Sequence, residues 1–147
     1  MGNGISIEKV LKVDDILFSL LKTSFSEMVE WDRTNLERFV GSESAILLLA
    51  RKGDDGCGLL RAHILPRYDS KEPEILLHEI DVSTNYQRQG VGFALIEKLK
   101  EIAREQKASE IWVITNRSNE AAMRLYEKAG MKETHNDDVV LQFETGF

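Results

Sequence analysis

The sequence is poor in the residues that staple, kink or anchor a chain. Its 147 residues include one cysteine, Cys57, and two prolines. A lone cysteine cannot close an internal disulfide, which points to a reduced, cytoplasmic setting, a structural thiol and a fold that rests on its core alone. Nowhere does an apolar run approach the roughly 20 residues that cross a bilayer. The opening MGNGISIEKV lacks the charged-then-apolar layout of a secretory leader. Gly2 and Ser6 match only a fragment of the myristoylation pattern, so no membrane partner is expected. Basic residues are outnumbered, 19 Lys and Arg against 25 Asp and Glu, for a net charge of −6. That sign disfavours nucleic acid and favours cationic small molecules or peptides as partners. His63, His78 and His135 fall at no metal-ligand spacing; beside a single thiol they predict ordinary structural histidines and no metal site.

What is present has a globular balance, 42% hydrophobic and 30% charged. A chain of this length buries roughly two-thirds of its unfolded surface, and residues 1–147 fit one domain. Ile16, Leu17, Leu20, Leu21, Phe25, Met28 and Val29 recur at helical spacing behind Asp14 and Asp15, predicting an amphipathic helix with acids on its first turn. A shorter helix is predicted from Thr34 to Val40, ended by Gly41. The apolar run SAILLLAR, the turn cluster Gly53-Asp54-Asp55-Gly56 and a second run from Cys57 to Leu65 read as a hairpin. Residues 66–73 have loop composition, and Glu74 to Val82 resumes strand character. Gly90 to Lys107 carries Val91, Leu95, Leu99 and Ile102 on one helical face. Glu110 to Thr115 reads as a buried strand, and a last helix runs from near Asn119 to Gly130, a residue suited to the left-handed position after a helix. One or two closing strands are predicted between Met131 and Phe143. The alternation argues for a mixed α/β layer structure.

The stretch VSTNYQRQGVGFA joins a strand end to a helix start through Gln87, Arg88, Gln89, Gly90, Val91 and Gly92. First-turn amides of a helix lack intrahelical partners and sit at the positive end of its dipole, so they can bind phosphate. The glycines allow close backbone approach, and Arg88 adds a cation. A tight turn with no ligand is the plainer reading of Gly-x-Gly alone. Position 95 is Leu where a dinucleotide fingerprint wants Gly or Ala, and no Gly-Lys-Ser/Thr follows, so NAD and ATP motifs are both missing.

On these residues the chain resembles the GNAT superfamily of acyl-CoA-dependent N-acetyltransferases, whose pyrophosphate loop reads Arg/Gln-x-x-Gly-x-Gly/Ala after the fourth strand. A second family element follows, Asn119-x-x-Ala122-x-x-x-Tyr126-x-Lys128-x-Gly130-Met131. The resemblance implies a mixed central sheet of about six to seven strands flanked by about four helices. It implies acetyl-CoA as cosubstrate, its pyrophosphate held by the loop from Gln87 to Phe93. Ile80, Asp81 and Val82 would line the pantetheine arm, the amide near Ile80 or Asp81 would polarise the thioester carbonyl, and Asn119 and Ala122 would meet the cofactor. Homodimers are frequent in this superfamily, with the C-terminal strands as the exchange surface.

Acetyl transfer to an amine needs a base for the ammonium and an acid for the departing thiolate. By the resemblance Tyr126 faces the sulfur as proton donor; a core aromatic on an apolar helix face is the other reading. Ile114 occupies the place of a glutamate that serves as base in some relatives. Glu79 is the replacement expected here, since strand alternation puts it on the same face as Asp81 and neighbouring carboxylates raise each other's pKa. The two acids could instead bind a cationic acceptor. His78 and Trp31 are candidates for the acceptor wall, with Asp32, Glu27 and Glu30 nearby. The segment LPRYDSKEPEILLHEIDV is most similar to aminoglycoside 3-N-acetyltransferases, which implies a polycationic acceptor; a protein or peptide amine and a non-catalytic acyl-CoA-binding module stay open beside it.

Overall fold

In the computed structural model, which describes residues 4–134 and 137–146, the apolar runs pair into one five-stranded sheet. Its strands β1 (Ile5–Lys9), β2 (Ala45–Lys52), β3 (Asp55–Leu65), β4 (Glu74–Val82) and β5 (Glu110–Trp112) lie in that spatial order. The first four pair antiparallel and β5 joins β4 in parallel, so the sheet is mixed, as expected. Parallel pairing demands a crossover, supplied by the long helix α3 (Val91–Gln106). Helices α1 (Asp15–Ser24) and α2 (Arg33–Val40) precede the hairpin, and α4 (Glu120–Lys128) follows β5.

Both faces of the sheet are covered. Ile46, Leu48, Leu60, Ile75 and Leu77 pack on one face against Val91, Leu95 and Leu99 of α3, with Tyr126 and Ala129 beside them. Leu47, Leu49 and Leu59 pack on the other against Leu17, Leu21, Phe25 and Leu36. β2 is therefore buried on both sides through Ala50, which is why its sequence is an unbroken apolar run instead of an alternation. Cys57 is fully buried, and burial pushes its thiol pKa up, consistent with a structural thiol.

The sheet differs from expectation at its ends. β1 was not foreseen: five residues on an edge, burying only Ile5 and Ile7 in part, carry too short an alternation to be read. The closing strands expected between Met131 and Phe143 do not form among the described residues of that segment, so the sheet has five strands instead of six or seven. Val139, Val140, Leu141 and Phe143 are exposed there and find no sheet to pair with. α1 stops at Ser24, short of Val29, because Phe25 leaves helical geometry (φ −131°, ψ 36°) and turns into the core. β5 ends at Trp112, short of Thr115, where it stops pairing with β4. His135 lies outside the described residues.

Two glycines set how closely α3 approaches its neighbours. A Cβ at Gly58 would stand 2.7 Å from Val91 Cγ1, 3.1 Å from Leu95 Cδ1 and 3.3 Å from the Asp81 carbonyl oxygen. At Gly92 it would stand 2.9 Å from Leu125 Cδ2, so this glycine, expected to admit a ligand, is occupied by helix packing. Gly58→Ala is expected to destabilise the protein by about 1–3 kcal/mol, the usual cost of overpacking, read as an earlier urea midpoint at unchanged slope.

Candidate active site

The site begins with an irregularity in β4. Arg61 faces Glu79 but its neighbour Ala62 faces Leu77, so His78 is an extra residue, a β-bulge. Without it, Ile75, Leu77, Glu79 and Asp81 would share a face, and both carboxylates would enter the apolar layer beneath α3. With it, Ile80 and Val82 pack into that layer and Glu79 and Asp81 turn to the opposite face, where α2 lies. The expected parity of the two acids holds because the bulge precedes both.

β4 also carries a free edge. β5 pairs with it only from Glu74 to Leu76, and from Leu77 to Val82 that side of β4 has no strand partner among the described residues. The chain leaves Val82 through a short turn (Thr84–Tyr86) and reaches α3 by way of Gln87, Arg88 and Gln89. Arg88 has φ 63° and Gly90 φ 85°, both left-handed, a conformation uncommon for arginine. Asp14, Asp32 and Asn119 cap α1, α2 and α4 by accepting from backbone N–H groups, but no side chain caps α3. Its first-turn amides, at the positive end of the helix dipole, are therefore not engaged by a capping side chain and lie one turn from the free edge of β4.

Three side chains tie this loop down. Gln87 Nε2 donates to the Val82 carbonyl at 3.3 Å. Tyr86 Oη donates to Asp55 Oδ2 at 2.6 Å, and Lys52 Nζ donates to Gln89 Oε1 at 3.0 Å. The last two come from the turn joining β2 to β3, so the hairpin tip braces the loop from outside. The hydrogen bond to Asp55 also raises the Tyr86 pKa.

The acceptor side lies on the α2 face of β3 and β4. Arg61 Nη2 donates to Glu79 Oε2 at 3.1 Å as a cross-strand ion pair. His63 stands between Phe39 of α2, ring centroids 5.6 Å apart, and His78, 5.7 Å apart. Burial chiefly, with the charges of His78 and Arg61, lowers the His63 pKa. Asp81 is raised, first by burial and then by hydrogen bonding and repulsion from Glu79, against the pull of Arg61. Tyr126, on the α3 side, is 9% exposed; burial and then the Asp81 charge raise its pKa. The Asp81 charge is thus felt by the Tyr126 phenol. A Schellman turn holds that end of α4, with Met131 N donating to the Tyr126 carbonyl at 2.9 Å and Gly130 N to that of Glu127 at 3.0 Å, Gly130 being left-handed as expected.

The remaining candidates are dispersed among structural duties. Asn119 Oδ1 accepts from the Ala122 amide at 3.1 Å, so both are engaged in the α4 cap. Val91 is core, and Phe93 is half-buried with Lys128 Nζ 4.9 Å from its ring centroid. Trp31 Nε1 donates to the Phe25 carbonyl at 3.1 Å and packs in the α1–α2 layer, while Asp32 is spent as the α2 cap. Arg61 and His63 were missed. The alternation of β3 places them opposite Leu60 and Ala62, but their partners depend on a register that the bulge sets.

Two outcomes are expected from this geometry. The folded state holds the Asp81 proton more tightly than the unfolded chain, so its stabilising effect is complete below the unfolded pKa of about 3.9 and is lost as pH rises through the raised native value. Asp81→Asn is therefore expected to melt above the parent protein at pH 7 and to approach it in acid, in thermal scans across pH. Asp55→Asn and Tyr86→Phe are each expected to weaken coenzyme A binding by about two- to fivefold, the worth of one exposed hydrogen bond, in calorimetric titration; the double variant should lose little more than either single one.

Comparison with known proteins agrees with this frame. The chain is 40% identical over 60 residues to the ribosomal protein bS18 alanine N-acetyltransferase of Escherichia coli K12, a match covering 41% of this chain and 40% of that protein. Its fold superposes on an aminoglycoside acetyltransferase from an uncultured soil metagenomic sample with TM-score 0.75 and 26% identity, covering 97% of this chain and 98% of the other. It also superposes on the aminoglycoside N-acetyltransferase AAC(6')-Iy in complex with CoA, with TM-score 0.74 and 17% identity over 96% and 95% of the two chains. The profile of the Acetyltransferase (GNAT) family, whose members use acetyl-CoA, matches residues 14–131. Because that match runs from the cap of α1 to the residue closing the Schellman turn of α4, the chain belongs to the GNAT family of acetyltransferases.

Proposed function

We propose that the protein moves the acetyl group of acetyl-CoA to a primary amine, with Tyr126 as proton donor and the Asp81–Glu79 pair as proton acceptor. The observation that carries this reading is the free edge of β4, which leads through the turn at Gln87 to Gln89 to an α3 N-terminus that no side chain caps, with the buried Tyr126 phenol feeling the charge of Asp81 on that strand. Acetyl-CoA supplies the acetyl group as a thioester. The loop from Gln87 to Gly92 and the α3 amides would hold its phosphates, and the edge at Ile80 to Val82 its pantetheine arm. A carboxyl raised from the ordinary range accepts a proton from an ammonium better than an unperturbed one, and this favours Asp81 over the ion-paired Glu79 as the atom that takes it. A phenol of raised pKa stays protonated through the approach of the amine and is present as a hydrogen-bond and proton donor to the thiolate as the C–S bond breaks.

The acceptor has two supported readings. An aminoglycoside follows from the resemblance of the segment entering β4 to 3-N-acetyltransferases and from the aminoglycoside acetyltransferases that share the fold. A protein α-amine follows from the 40% identity to a ribosomal protein alanine acetyltransferase. Incubation with acetyl-CoA and a panel of aminoglycosides, polyamines and alanine-starting peptides, followed by thiol release, tests both. Failure of every amine of the panel to release thiol, from protein that binds acetyl-CoA, would leave only an acyl-CoA-binding module. Tyr126→Phe is expected to lower kcat by about 100-fold, the lower range of general-acid effects, with acetyl-CoA affinity nearly intact.

A further inference from the structure

We propose that Arg61 is a specificity-determining residue: by engaging Glu79 it cancels one of the two carboxylates on the acceptor face, so that the site takes an amine bringing a single positive charge and discriminates against polycations. The inference rests on the acetyl-transfer reading and narrows its acceptor. An acidic chain with Glu79 and Asp81 side by side looks built for a polycation. The register says otherwise, because Arg61 is the residue directly opposite Glu79, with Nη2 at 3.1 Å from its carboxylate. The guanidinium reaches further than that pair, since its charge pulls down the pKa of both Asp81 and His63. Phe39, His63 and His78 add a row of rings to this face. An incoming ammonium therefore meets Glu79 already paired with Arg61, and a second ammonium nearby would meet the guanidinium.

The ion pair is partly exposed, with side-chain accessibilities of 40% for Arg61 and 44% for Glu79. The effect is therefore one of selectivity, on the scale of about two- to fivefold in binding. Arg61→Gln is expected to tighten spermidine and aminoglycoside binding by about that factor in calorimetry, and to raise kcat/KM for them relative to an alanine-starting peptide without internal basic residues. Arg61→Lys, which keeps the charge, should retain the parent ratio. Glu79→Gln, which leaves the guanidinium unopposed, should shift binding the other way and carries the test if Arg61→Gln fails to fold. The same polycation affinity in all folded variants, or a lysine variant that behaves like glutamine, would overturn the role of Arg61. The absence of acetyl transfer to any amine would instead overturn the enzymatic reading, while the calorimetric comparison still decides the charge effect.

Discussion

The cost of burying charge governs this site. A carboxylate moved into an apolar layer loses several kcal/mol of hydration unless it is paired, and β4 carries two within three residues. An uninterrupted strand would drive Glu79 and Asp81 under α3 with Ile75 and Leu77. The bulge at His78 resolves this by exchanging the two faces of the strand halfway along it. Ile80 and Val82 then continue the core layer, and the acids meet Arg61, His63 and His78 on the α2 side. One inserted residue thus serves packing and chemistry together.

The second constraint is the short reach of β5. Had it paired along the whole of β4, the edge from Leu77 to Val82 would be closed. Pairing over three residues holds the sheet together and leaves the β4 edge from Leu77 to Val82 open among the described residues, with Tyr126 of α4 packed on the α3 side. The two sides of that opening differ in kind. On one lie backbone groups: the β4 edge, the left-handed turn at Arg88 and Gly90, and the α3 amides, which no side chain caps. On the other lie titratable side chains. Backbone amides hold an anion without regard to side-chain identity, whereas discrimination among amines falls to residues such as Arg61.

The loop on the backbone side is braced by residues that belong to no loop motif. Asp55 and Lys52 reach it from the tip of the β2–β3 hairpin, so a turn distant in sequence stiffens the left-handed segment that precedes α3. Gly58 and Gly92 act at the other end of the same problem, admitting α3 and α4 to the contacts that point the helix at the loop.

Much of this was legible in the residues themselves. Continuous apolar runs, helical spacing and turn clusters placed α2, β2, β3, β4, α3 and α4 to within a few residues, because each of those signals reflects local burial. The loop from Gln87 to Gly92 and the element from Asn119 to Met131 carried the resemblance to the GNAT family, since both are motifs contiguous in sequence. Other features required the fold. β1 is too short to announce itself, and the described residues after Met131 have strand composition without a strand partner. The face of β4, the partner of Glu79, the capping duty of Asn119 and the packing duty of Gly92 all depend on register and on which surfaces meet. Local sequence determines what a segment can be; the strand opposite, the bulge that sets its register and the helices that cover it decide which of its side chains remain free to act.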